Sequence, residues 1–242
     1  MTDVVADRLT RAVREQLTLG RLLPLGGPAD GAWLTEQAAQ RVLRSAESRV
    51  AGARLGMVRI GLAEPAGTAR PVVPAPVSAL PPGPLRIGVT CVVTAGRPLR
   101  TVAQELRTAL HRCAVDRLGL EIDSIDLRVT ALLEELPPPG PPAAPAHVRK
   151  PHIGADMVAV AGAVRAVPGV AALTPVLGGS AQPVRAEDRT DADGAPLGRH
   201  VEVQLAVAEG HRALDVARAV RATVGRTVAA PATVAVLVTD VR

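Results

Sequence analysis

Histidine and cysteine are the residues from which a metal site or a nucleophilic centre would be built, and here they are few and scattered. The chain has 5 His and 2 Cys among 242 residues. His111 and Cys113 are two positions apart on a predicted helix, so they point to different faces. The remaining histidines flank a proline-rich stretch or lie at the ends of one predicted strand: His147, His152, His200 and His211. We therefore expect no metal site and no cofactor.

The acidic and glycine-rich motifs also lack partners. Gly26–Gly31 has the outer glycine spacing of a phosphate loop, but Ala32 and Trp33 stand where Lys and Ser/Thr are needed. Glu134 and Glu135 are neighbours in extended chain, so their carboxylates do not converge. A faint calcium-loop pattern has no bidentate Glu at the required spacing: Asp188, Asp191, Asp193 and Gly194. We expect no catalytic residues and no enzymatic activity.

Arginine supplies the only candidate binding residues. The formal net charge is +5, and the chain contains 1 Trp but no Phe or Tyr. A single-strand nucleic-acid platform stacks bases on aromatic side chains, so nucleic acid is not an expected partner. Arg107 and Arg221 occupy equivalent outward positions on two predicted helices, and Arg218 is near Arg221. We predict these three arginines as partner-binding residues.

The elements that carry these arginines form a pattern at the end of the chain. Apolar residues alternate over 201–207, which predicts a half-buried strand. Val216, Ala217, Val220 and Val224 then recur at helical spacing. A β-branched run over 233–241 closes a β-α-β module.

The first half of the chain repeats this module. Val102-Ala103 and Leu106-Arg107 match Val216-Ala217 and Val220-Arg221 at one constant offset. Further matches join strand residues: Val89, Cys91 and Val93 with Val203, Leu205 and Val207, and Val129-Thr130 with Val238-Thr239. The same order of strand, glycine, helix and strand in both copies predicts an internal duplication.

We expect an α+β fold with two tandem α-β-β-α-β two-layer sandwich domains behind an N-terminal helix. Residues 1–20 contain the amphipathic helix, and residues 21–133 form the first domain. Its proline-rich insertion, 64–84, is predicted as a long, poorly ordered loop between two strands. A proline-rich linker, 134–150, precedes the second domain, 151–242.

Local patterns add detail to this plan. Residues 22–31 are punctuated by Gly and Pro, with room for a short strand at Leu22-Leu23. Thr35 can cap the helix that follows. In the second domain a helix is expected at roughly 153–166, and 178–199 is predicted as a polar loop.

Composition bounds the location of the protein. Hydrophobic residues make up 48% of the chain, and the core must be built from Leu, Val, Ile and Ala. The charged N-terminus is unlike a signal peptide, and no stretch predicts a membrane span. We expect a cytoplasmic protein that does not insert into the membrane.

The repeat resembles the alkaline-shock, or envelope stress response, family of Gram-positive bacteria. The residues that carry this are Val167–Val170, the alternating strand at 201–207, the helix with Val216-Ala217 and Val220-Arg221, and the final strand VAVLVTDV. The whole chain also resembles actinobacterial proteins named after a nucleopolyhedrovirus fibrillar protein, through GRLLPLGG at 20–27 and LPPGP at 80–84.

This resemblance implies a non-enzymatic scaffold or interaction protein linked to cell-envelope stress. Its implied partners are a small membrane anchor protein and other shock-family proteins, which would hold it at the inner face of the membrane. A strand edge left unpaired in each domain also favours self-association as a homo-oligomer or capture of an anchor peptide. The alternative is a small-molecule-sensing regulatory protein with ferredoxin-like domains.

Overall fold

The computed structural model describes residues 20–76, 78–136, 138, 151–176, 181–190, 196–228 and 232–242. Together they form a mixed α+β fold with four α-helices and nine strands in two sheets. The helix predicted within 1–20 and most of the linker 134–150 lie outside the described residues.

The three-stranded sheet comes from the first half of the chain. Its strands are β3 (Ala53–Leu62), β4 (Leu85–Thr94) and β5 (Ile122–Leu133), in the order β3-β4-β5. β3 and β4 are antiparallel, whereas β4 and β5 are parallel. Two helices accompany the sheet: α1 (Glu36–Arg44) and α2 (Leu99–Arg112), which a π-helix, Cys113–Leu118, continues. The Thr35 hydroxyl accepts from the Ala38 amide and caps α1, as predicted.

The six-stranded sheet combines both ends of the chain. Its strands are β1 (Leu22–Pro24), β2 (Ala32–Thr35), β6 (Val170–Leu173), β7 (Val184–Thr190), β8 (Pro196–Val207) and β9 (Ala232–Val241). The order is β1-β2-β9-β8-β6, and β7 also pairs with β8. The helices α3 (Val158–Arg165) and α4 (Ala213–Thr227) belong to the same half as β6–β9.

The central strands of both sheets have the same register. Cys91 pairs with Val129, and Leu205 pairs with Val238. In both sheets the next residue of the parallel partner strand is a threonine bulged out of the ladder. The hydroxyl of Thr130 donates to the Cys91 carbonyl at 3.2 Å, and that of Thr239 donates to the Leu205 carbonyl at 3.2 Å. These three matched pairs, Cys91 with Leu205, Val129 with Val238 and Thr130 with Thr239, thus hold equivalent positions in the two ladders.

The proline-rich insertion 64–84 is packed, which corrects the expectation of a poorly ordered loop. Its Val73 is buried, and the Leu80 amide donates to the Leu22 carbonyl at 2.8 Å. The insertion leaves the three-stranded sheet and covers one face of the other sheet, where Trp33 and Leu237 join Val73 in a small apolar cluster. Proline restricts the backbone, so an ordered extended segment loses little further entropy.

Two further expectations differ from the structure. The predicted polar loop 178–199 contains β7 and the start of β8, which pair as an antiparallel ribbon. Their charged residues are compatible with strand structure because they pair across the ribbon, as Arg185 and Glu202 do at 2.9 Å. The helix expected at 153–166 starts as a 3-10 turn, and its α-helical part is Val158–Arg165.

One hydrophobic core runs through both halves, from Leu23 to Val241. The halves contact each other where the side chain of Arg212, just before α4, donates to the Val115 carbonyl of the π-helix at 3.0 Å. Strands β1 and β2 belong to the range predicted as the first domain, yet they extend the sheet of the second. The division at 134–150 stays a prediction.

Candidate interaction site

The C-terminal strand, β9, lies inside the six-stranded sheet and has a neighbouring strand on each side. β8 pairs with it along one edge, and β2 pairs in parallel along the other. The β2 register joins Ala32 with Val236 and Leu34 with Val238. Because β2 fills this edge, the backbone donors and acceptors of β9 have protein partners on both sides over these residues.

The equivalent strand of the three-stranded sheet, β5, has a neighbour on one side only. It pairs with β4, and no other strand in the described ranges pairs with it. Its 12 residues make a long edge strand. At the opposite edge of this sheet, two side chains bind backbone carbonyls of β3. The Gln40 side chain donates to the Val58 carbonyl at 3.0 Å, and an Arg21 guanidinium nitrogen donates to the Ile60 carbonyl.

A groove runs beside β5 and another beside β9, each between the strand and the helix that precedes it in the chain. The β5 groove has a volume of about 390 Å³ and lies between α2 and β5. Its lining includes Gln104, Arg107, His111, Ile122 and Ile125. The β9 groove has a volume of about 340 Å³ and lies between α4 and β9, lined by Arg218, Arg221, Gly225 and Val234. The sequence repeat matches Gln104 with Arg218 and Arg107 with Arg221.

The loop between β1 and β2 binds at the rim of the β9 groove. The Arg218 guanidinium donates to both Asp30 carboxylate oxygens, at 2.7 and 3.0 Å, and Arg221 donates to the Ala29 carbonyl. The Gly27 amide donates to Asp30 at 2.8 Å. The hydrogen bond from Arg218 is the main reason that the pKa of Asp30 lies below its usual value. Two of the predicted partner-binding arginines therefore hold the chain's own strand-donating loop.

Glycine lets this loop approach β9 closely. Gly31 has φ of +55°, and a β-carbon there would lie 3.0 Å from the Val234 carbonyl oxygen and 2.7 Å from a Val73 methyl. A side chain would therefore both strain the backbone and displace its neighbours. Gly31, the second outer glycine of the Gly26–Gly31 motif, therefore has a structural role at this contact.

Arg107, the third predicted residue, lies apart from the other two at the corresponding rim of the β5 groove. Its side chain is exposed. No loop of the described chain crosses this groove in the way that residues 29–31 approach β9. The structure thus places the predicted arginines beside two equivalent grooves, one bound by the chain itself.

Sequence reasoning missed β2 and its role. The four buried residues Ala32–Thr35 lie between Gly31 and the start of α1. A short apolar run bounded by glycine and a helix cap is the signal that could have indicated a buried strand. Nothing local indicated that its partner would be β9.

The polar side chains buried near β9 are joined to one another. The Thr35 hydroxyl donates to the Thr239 carbonyl at 3.1 Å, and the hydroxyls of Thr174 and Thr239 are hydrogen-bonded. The Val176 amide donates to Gln204 at 2.9 Å. These contacts join β2, β8 and β9 to the segment that follows β6.

The titratable groups are separated in the structure. Burial raises the pKa of the Cys91 thiol and lowers that of His200, whose Nδ1 lies 2.8 Å from the Thr233 hydroxyl. Within the part of the chain that the structure describes, no group of three or more His, Cys, Asp and Glu side chains could hold a metal ion. No helix of that part has the length and apolar character needed to cross a membrane.

The chain matches no protein-family model and no curated protein. It has a weak likeness to a solved structure of a MamM-CTD variant with two substitutions. The two are 14% identical, the match covers 39% of this chain and 92% of that chain, and the TM-score is 0.26. A likeness of this size carries no argument about fold or function.

Proposed function

We propose that this protein is a non-enzymatic interaction protein that binds another chain by strand addition at the free edge of β5. One observation carries the proposal. The edge of β9 is filled by β2, whereas the equivalent edge of β5 and its groove are open among the described residues. A free edge presents backbone amides and carbonyls that an added strand can satisfy, while a neighbouring groove supplies side-chain selectivity.

The β2 segment supports this proposal as an internal example of such binding. It brings an extended strand to the edge, an acidic side chain to an arginine at the groove, and a close glycine contact. On the three-stranded sheet, β5 and its groove are equivalent to β9 and the β9 groove. Arg107 is equivalent to Arg221, which donates to the Ala29 carbonyl, while Gln104 takes the position of Arg218. The three-stranded sheet therefore offers an added strand an edge, a groove and one arginine. We also propose that the two halves are tandem copies of one α-β-β-α-β unit, which their shared register and matched threonine bulges support.

The cellular setting of the proposal comes from the sequence resemblance alone. It would place the protein at the inner face of the membrane, held by a small anchor protein, in the response to envelope stress. Fractionation of cells at low and high salt, with and without the neighbouring genes, tests this setting. Purified protein that binds anionic lipid vesicles by itself, and dissociates with salt, would contradict attachment through a partner.

Site-specific photo-crosslinking in cells of the source organism tests strand addition. A photoreactive residue at Asp123, which is exposed beside the free edge, should give covalent adducts with another chain. The matched control carries the same group at Arg59, exposed on the face of β3. No adduct at position 123, or equal adducts at both positions, would refute the proposal.

A further inference from the structure

We infer that the chain bound at the β5 edge is a second copy of this protein, whose own β5 pairs antiparallel to the first about Leu127. This inference rests on the proposed function, because it names the partner for the same edge. A two-fold pairing of this kind requires a surface that is complementary to itself. The sequence and exposure of β5 meet that requirement on both faces of the sheet.

On the solvent face, the pairing brings opposite charges together. Residues at equal distances from Leu127 on its two sides face one another in an antiparallel pair. Asp126 of each copy therefore faces Arg128 of the other, and symmetry produces this pair twice. Both side chains lie on the outer face, opposite Gly88 and Thr90 of β4. Opposite charges directly across an antiparallel pair stabilise it.

Both charged groups are accessible to a partner. The Asp126 side chain is 69% exposed and lies 3.7 Å from Arg86. Arg128 is exposed, and no ion pair of the described chain includes it. A second copy would supply the carboxylate partner that Arg128 lacks among the described residues of its own chain.

On the helix face, the same pairing joins apolar side chains. Ile125 of each copy faces Val129 of the other. In its own chain each of these residues packs against the core on the helix side of the three-stranded sheet. Ile122 faces Leu132, whose side chain is 59% exposed. Since Ile122 and Ile125 line the β5 groove, Leu132 of the second copy would enter that groove. This contact removes an exposed leucine from water.

The bulges of β5 preserve this arrangement. The ladder with β4 skips Asp123 near one end and Thr130 near the other. Each half of β5 therefore contains one extra residue, so Ile122 and Leu132 stay on the same face and at equal distances from Leu127. Only an antiparallel copy brings Ile122 opposite Leu132. A partner that pairs in parallel, as β2 does with β9, would not place these two residues together.

Sedimentation analysis of the full chain with reversed charges tests the inference. Wild-type protein should dimerise at micromolar concentration. Asp126→Arg and Arg128→Asp should each weaken dimerisation about tenfold, because each replaces two opposite-charge pairs by two like-charge pairs. The double variant D126R/R128D should recover the wild-type affinity to within about threefold, since both pairs are restored with their signs exchanged.

The control variant is Arg59→Asp, which changes the same charge on the other edge strand and should leave the dimer unchanged. Circular dichroism establishes that each variant is folded. If a charge reversal reduces folding, Leu132→Ser provides the comparison, because it alters an exposed side chain and should also weaken the dimer.

The outcomes separate this inference from the proposed function. A monomer at tens of micromolar, a dimer indifferent to all these changes, or a double variant that fails to recover would overturn the inference. A photo-crosslink at position 123 to a different protein, with no adduct of twice the chain mass, would overturn it while leaving strand addition intact. Absence of any adduct would refute strand addition itself.

Discussion

The edges of β9 and β5 share a register, a bulged threonine and a helix groove, but they differ in what lies beside them. At β9 the neighbour is β2, with Asp30 bound to Arg218. At the equivalent edge of β5, on the side away from β4, no strand of the described chain is adjacent. The same local arrangement of strand, bulge and helix groove therefore occurs once with its edge paired and once with its edge unpaired among the described residues. A filled edge completes a core, and an open edge with the same geometry can receive another chain.

The largest expected effect comes from removing the aromatic ring of the filling strand. Trp33 is 1% exposed, so Trp33→Ala should destabilise the fold by about 3–5 kcal/mol. Urea unfolding followed by circular dichroism measures this, because the variant no longer has a tryptophan to report by fluorescence. Met57→Ala is the control: Met57 is 55% exposed on β3, and the change should stay within about 0.5 kcal/mol. A small effect at Trp33 would mean that β2 is not an integral part of the sheet.

A smaller effect is expected where β2 approaches β9 most closely. Gly31→Ala forces a side chain into positive φ and against the Val234 carbonyl, which should cost about 1–3 kcal/mol. Gly88→Ala is the matched control on the three-stranded sheet. A β-carbon at Gly88 meets nothing within 4 Å, so that change should be neutral or slightly stabilising. Equal unfolding midpoints for the two variants would remove the contrast between the sheets.

The smallest effect concerns the ion pair beside the filled edge, and it depends on pH. The folded-state pKa of Asp30 is lowered, chiefly by the hydrogen bond from Arg218. Its contribution to stability is therefore present above about pH 4 and lost as the pH falls through the lowered pKa. Asp30→Asn should cost about 1 kcal/mol at pH 7 and progressively less in acid. Unfolding curves of the wild type and the variant from pH 2 to 7 measure this difference, and a cost that stays constant over that range would contradict the role of the ion pair.

Regular elements with strong periodicity could be predicted from the sequence. The strand β4 contains the alternating residues Val89, Cys91 and Val93, and α1 starts at the predicted cap because Thr35 offers the right hydroxyl before an apolar helical face. The matched pairs Cys91/Leu205 and Thr130/Thr239 hold equivalent positions because alternation fixes which face each residue occupies. These features depend on local chemistry.

The remaining features depend on partners far away in the chain. Ala32–Thr35 is too short to show alternation, and its pairing with β9 joins residues about two hundred positions apart. Helical spacing showed Arg218 pointing outward, but it could not show that Asp30 would lie there. The packing of Val73 on Trp33 was hidden in the same way, because prolines exclude regular structure without excluding order.

The pairing of β2 with β9 also limits when this protein can complete its fold. During synthesis, β3, β4 and β5 are all made before residue 134, so the three-stranded sheet can assemble on the nascent chain. Strand β2 is made earlier still, but its parallel partner is translated about two hundred residues later. Until β9 is made, β2 and its Trp33 lack the parallel strand with which they pair. The open edge at β5 can therefore form early in synthesis, whereas the edge of β9 can pair with β2 only at the end.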